Sequence, residues 1–193
     1  MFSDLISHLD YTYFFVSAVL FLLGIYFGPN VVEKNYNWLL VYPRWALRTM
    51  EKYFGQKRSF LLTFLVIFIL NNFSIFVSVI SGFLIILPPI AAFLTGLNVS
   101  IVSYEMLGWK GIWHILVNPV AWLEFPAAWI GFSFGFSIAG VQLTNLNFHL
   151  AFDKFEVLLP LYAKYVVSLL LVAAILETTL IMFAENFRNN EDE

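Results

Sequence analysis

The chain is 193 residues long, 61% of them apolar and only 12% charged, with a formal net charge of −3. A water-soluble domain carries about a quarter charged residues, so the polar side chains here are too few to cover a folded surface and lipid has to be the main solvent. The small acidic balance gives no basic stripe for nucleic acid, and the absence of cysteine removes disulfides, thiolate metal sites and thiol nucleophiles.

Five apolar stretches, each near the roughly 20 residues that cross about 30 Å of hydrocarbon, predict an all-α polytopic transmembrane bundle forming one integral membrane domain over 1–193. The first stretch, 11–27, ends at Gly28-Pro29. Its leader carries Asp4 and Asp10 instead of basic residues, and no small-residue cleavage pattern follows, so it reads as a retained anchor. The second stretch covers 60–81 and the third 82–104, with Pro88-Pro89 either kinking the third or marking the real turn. The fourth covers 119–141 and the fifth 157–183. Segment 112–126, bearing Pro119 and Pro126, can also be read as re-entrant, which leaves six segments open.

The one long polar connection, 29–58, holds six of the ten Lys and Arg residues: Lys34, Arg44, Arg48, Lys52, Lys57 and Arg58. Arg44, Arg48 and Lys52 recur every four residues among Trp45, Leu47, Met50 and Phe54, the pattern of an amphipathic helix lying in the membrane interface. Trp38, Tyr42 and Trp45 suit the headgroup level. The positive-inside rule puts this connection in the cytoplasm, and with five spans the acidic tail 185–193, ending Glu191-Asp192-Glu193, lies on that side too.

Polar groups at membrane depth need a partner or a purpose. Asn71 and Asn72 interrupt the second span and Asn98 the third. Glu124 lies early in the fourth, and Glu177 deep in the fifth. They either lock helices together or line a polar path. Lys164, thirteen residues before Glu177, is about 20 Å from it along one helix and cannot pair with it. Ala127, Gly131, Gly135 and Ala139 form a small-residue stripe at four-residue steps, and Gly24 and Gly28 a shorter pair; such stripes let helix backbones approach closely in lipid. Glu124, three residues before Ala127, lies near the same face and points toward protein.

Other patterns carry less. Gly131-Phe132-Ser133-Phe134-Gly135 matches the nucleophile-elbow pattern but lies in an apolar helix and lacks the strand-to-helix turn that motif requires. His114, His149, Glu124 and Glu177 match no metal spacing, so no metal or other cofactor is expected. The sequons at Asn72 and Asn98 lie at membrane depth.

In order, the chain presents Asn71-Asn72, Gly82, Asn98, the stretch Pro119-Val120-Ala121-Trp122-Leu123-Glu124-Phe125-Pro126-Ala127, and Ala173-Ala174-Ile175-Leu176-Glu177. This order resembles the stage II sporulation protein M family over about residues 60–180. Val120-Ala121 stand where that family has His-Gly, and Val99 where it has glycine. The namesake is a multi-spanning protein that assembles with peptidoglycan-degrading enzymes in spore formers. The resemblance therefore implies a non-enzymatic scaffold for membrane or envelope assemblies. The stripe on the fourth span suggests that it works as a homo-oligomer, with the bilayer and other membrane or envelope proteins as partners. The competing expectation is a small transporter or channel with Asn71, Asn72, Asn98, Glu124 and Glu177 along a polar route.

Overall fold

In a computed structural model of the chain, residues 3–54 and 59–191 are described, with the side chains of 4–49, 52 and 59–184. Lys57, Arg58, the side chains of Met50 and Phe54, and those of the Glu191-Asp192-Glu193 tail therefore lie outside the described part. Among the described residues every regular element is helical. The elements are α1 (Ser3–His8), α2 (Tyr11–Glu33), α3 (Asn37–Phe54), α4 (Phe60–Ile80), a 3₁₀ turn (Ser81–Phe83), α5 (Leu87–Leu107), α6 (Trp109–Val117), α7 (Ala121–Asn145), α8 (Phe148–Leu161), a π turn (Tyr162–Val166) and α9 (Val167–Glu191). Five segments are long and apolar enough to cross a membrane: Tyr11–Glu33, Phe60–Phe83, Leu87–Leu107, Ala121–Asn145 and Phe148–Ala184. This is a multi-pass membrane protein. Segment 112–126 divides between α6, whose nine residues reach only about 14 Å, and the first turns of α7, so it adds no sixth span among the described residues.

α7 is the hub. Of an 18-residue apolar stretch of it, 61% is buried, against 17% for the Phe60–Phe83 span, and it touches every other candidate span. On one side α2 and α5 form the most extensive helix pair of the fold; on the other, α4 packs with α9. Aromatic side chains fill the α2–α7 seam, where Phe21, almost wholly buried, meets Phe125, Trp129 and Phe132. A second aromatic group seats α8. Phe83 meets Phe148, Phe152 and Phe155, while Phe76 meets Phe155 and Tyr162.

Small residues set how close the α2–α5 pair comes. A Cβ on Gly24 would strike the backbone of Phe93 and Leu97, one on Gly96 the backbone of Phe21, and one on Gly28 the Ser100 hydroxyl. Gly24 and Gly28 thus face a second stripe, Ala92-Gly96-Ser100, also at four-residue steps.

That contact explains why the first span does not end at Gly28-Pro29. Proline at 29 offers no N–H to the carbonyl of Ile25, one turn earlier, which should break the helix. The Ser100 hydroxyl, fully buried on α5, donates to that carbonyl at 2.7 Å instead. A serine from a neighbouring helix restores the missing bond, and α2 runs on to Glu33. Ser100→Ala is therefore expected to lower stability by about 1–3 kcal/mol, the cost of orphaning a buried carbonyl. Reversible unfolding in mixed micelles measures it; an unchanged midpoint would mean the carbonyl finds another donor.

Other boundaries move for local reasons. Pro88 and Pro89 occupy the opening turn of α5, where proline's missing N–H costs nothing, so the double proline is the real start of that helix. Gly82 belongs to the 3₁₀ turn before it. Pro119 stays outside α7, which begins at Ala121. The fifth segment starts earlier than hydropathy indicates, because α8 carries Asp153, Lys154 and Glu156 yet is helical from Phe148.

Candidate functional site

The polar groups at membrane depth lie on α4, α5, α7 and α9. Glu124 falls in the first turn of α7, on the side turned toward α4. Asn71, just past the middle of α4, donates its side-chain amide to Glu124 Oε1 at 2.6 Å, across a sequence separation of 53 residues. Glu177 stands on α9, one residue before the fully buried Thr178, and α9 packs against both α4 and α7. All three side chains are half-buried. Asn71 and Glu124 thus form a polar junction between α4 and α7, with α9 packed against both helices.

The neighbouring Asn72 turns its amide back to the Phe68 carbonyl at 3.1 Å. Its own backbone carbonyl accepts the Tyr162 hydroxyl at 3.0 Å. Tyr162 opens the π turn, and its ring packs against Phe76. The wide turn, two residues after Pro160, faces this tyrosine toward α4 and ties the α8–α9 rod to the same level of the bundle. Asn98 is not part of this. It is half-buried on α5, and its side chain makes no hydrogen bond among the described residues.

The small-residue stripe of α7 is filled from within the same chain. Ala127 and Ala139 are buried. A Cβ on Gly131 would meet Ile75, and one on Gly135 the Ser78 carbonyl of α4. Gly82 closes the far end against Gly135 and Ile138. The stripe therefore builds the monomer and offers no face to a second copy. Ser133 at its centre is fully buried inside α7 and donates to the Ile130 carbonyl, with no strand-to-helix turn around it.

No family model, curated protein or solved structure matches the chain. What the site does has to be argued from its own chemistry.

Lys164, which hydropathy puts near the start of the fifth span, pairs with Asp4 of α1 at 2.8 Å, both side chains being about half exposed. At the opposite end, Arg44 of α3 binds Glu105 at the end of α5 at 2.7 Å, and Tyr104 donates to Glu33 at the end of α2. Sequence reading missed these three links because each joins residues at least 61 positions apart. The charges at segment ends were the only available signal.

Proposed function

We propose that this protein is a non-enzymatic membrane scaffold for membrane or envelope assemblies, as its resemblance to the stage II sporulation protein M family implies. One observation carries the reading. Two of the polar groups that would line a transport route are used to join helices, Asn71 holding Glu124 across α4 and α7, and the Asn72 amide is turned back onto its own helix while Tyr162 holds the Asn72 backbone carbonyl across α4 and the π turn. A conducting path needs such groups turned to passing water or ions. A scaffold needs them to fix one arrangement of helices, and interhelical hydrogen bonds in lipid do that at a modest gain of about 0.6–2 kcal/mol each.

The end bearing α3, with Lys34, Arg44, Arg48 and Lys52, faces the cytoplasm in this reading, by the positive-inside rule. Self-association remains part of it, but through outward surfaces. α4 offers the row Leu61, Leu65, Ile69, Phe73 and Val77, exposed at four-residue steps. Light scattering of the detergent-solubilised protein should give the mass of two or more copies. A single-copy mass at every concentration would remove the oligomer from the account.

A transporter is the second reading, favoured by two carboxyl groups at membrane depth, Glu124 and Glu177, in a bundle whose last span carries Pro160 and a π turn. Proteoliposomes carrying proton, sodium or potassium gradients separate the two. The scaffold reading expects leak rates equal to those of empty vesicles. Flux that disappears in Glu124→Gln and Glu177→Gln would overturn it.

A further inference from the structure

α3 lies against the ends of α2 and α5 through Leu40, which clusters with Val31, Leu97 and Ile101, while Pro43 is buried beside it. Two flanks remain free. On one, Trp38, Tyr42 and Trp45 are strongly exposed, the side chains that settle at the headgroup level of a bilayer. On the adjoining flank Arg44, Arg48 and Lys52 stand one turn apart. An open groove runs between this basic flank and the end of α5, lined by Arg44, Leu47, Arg48, Glu105 and Met106.

Among the described side chains, the charges in the groove do not balance. Glu105, with only 17% of its side chain exposed, is matched by the Nε of Arg44, which leaves the outer nitrogens of Arg44 with only a 3.5 Å approach to Asn35. Arg48 is exposed and makes no ion pair among the described residues. Among the described side chains the groove therefore carries a net positive charge at its rim, and apolar side chains, Leu47 and the exposed Met106, line its wall.

We propose that this groove binds the headgroup of an anionic phospholipid. The phosphate sits on the Arg48 guanidinium and the outer nitrogens of Arg44, and the start of the acyl chains lies along Leu47 and Met106. Two features favour a lipid over a soluble anion: the tryptophans set the groove at headgroup depth, and its wall is apolar; the guanidinium fork matches two phosphate oxygens of either. The carboxylate of Glu105 lies on the inner side, where it holds Arg44 in place.

Native mass spectrometry of the full-length protein in detergent tests this, with dioleoyl phosphatidylglycerol, dioleoyl phosphatidylcholine and inorganic phosphate as probes. One phosphatidylglycerol should bind saturably and about ten-fold more tightly than phosphatidylcholine. Arg48→Gln should weaken it about ten-fold and Arg48→Lys, which keeps the charge without the fork, by about three-fold. Lys110→Gln on α6 should leave it unchanged, and millimolar phosphate should not displace the lipid. Equal affinity for the two lipids, or retention of binding in Arg48→Gln, would overturn the proposal. So would an equal loss in Lys110→Gln, which would mean diffuse charge, or displacement by phosphate, which would mean a soluble-anion site.

Discussion

Gly96→Leu is expected to yield no correctly folded protein, and Gly96→Ala to lose about 3 kcal/mol or more. The atoms that would meet the new Cβ are the carbonyl oxygen, carbonyl carbon and Cα of Phe21, at the heart of α2. A flexible side chain could swing aside, but backbone within an intact helix cannot, so α2 and α5 must separate. Separation also breaks the bond from Ser100 to the Ile25 carbonyl, which Pro29 leaves without its own donor. Close packing and proline compensation fail together, which is why the loss exceeds that of ordinary overpacking. Ile90→Ala, on an exposed part of the same helix, should change stability little. Thermal unfolding followed by tryptophan fluorescence in detergent measures Gly96→Ala and Ile90→Ala, and the yield of monodisperse protein on size exclusion reads Gly96→Leu, with unfolding measured on any that folds. Wild-type stability in Gly96→Leu would mean that α2 and α5 do not approach through their glycines.

Gly135→Leu should be nearly as damaging, and what it damages is the fold of the single chain. A Cβ there meets the Ser78 carbonyl at 2.6 Å, and the Gly82 turn closes against the Gly135 carbonyl. We expect a loss of about 3 kcal/mol or more, read as a lower unfolding midpoint in protein held monomeric by dilution in detergent. The four-residue spacing of the stripe alone points to self-association. A variant that folds at wild-type stability but loses its partners would restore the stripe as an interface between copies.

Why hydropathy finds the spans and misses their partners follows from what each depends on. Crossing hydrocarbon is a property of about 20 consecutive residues, so composition alone exposes it. The continuation of α2 past Pro29 depends on Ser100, 75 positions away, and no local window contains that serine. The early start of α8 is hidden by Asp153, Lys154 and Glu156, which lower hydropathy without interrupting helix. Four-residue spacing shows that a helix can be approached closely and is silent on what approaches. The stripe on α7 meets α4 of its own chain, and the equally regular Ala92-Gly96-Ser100 row could have been found by the same test.

The candidate site divides in the same way. Cost in hydrocarbon is enough to mark Asn71, Glu124 and Glu177, and the fold brings the first two together in a direct hydrogen bond. Asn98 carries the same cost but takes no part in the junction. The Asp4–Lys164 and Arg44–Glu105 pairs gain little in exposed or half-exposed settings, so nothing in the sequence pattern forces them.

The account rests on α4 and α7 being joined within one chain through Asn71 and Glu124. Because the protein contains no cysteine, an N71C/E124C double variant reports on that contact alone. Treated in membranes with the shortest bifunctional methanethiosulfonate, it should become cross-linked within a single chain, seen as two protease fragments that stay tied until reduction. An F73C/E124C variant, in which position 73 is exposed on α4, should not. A 71–124 pair that labels at both sites yet never cross-links, or cross-links only between copies, would contradict the junction and the scaffold built on it.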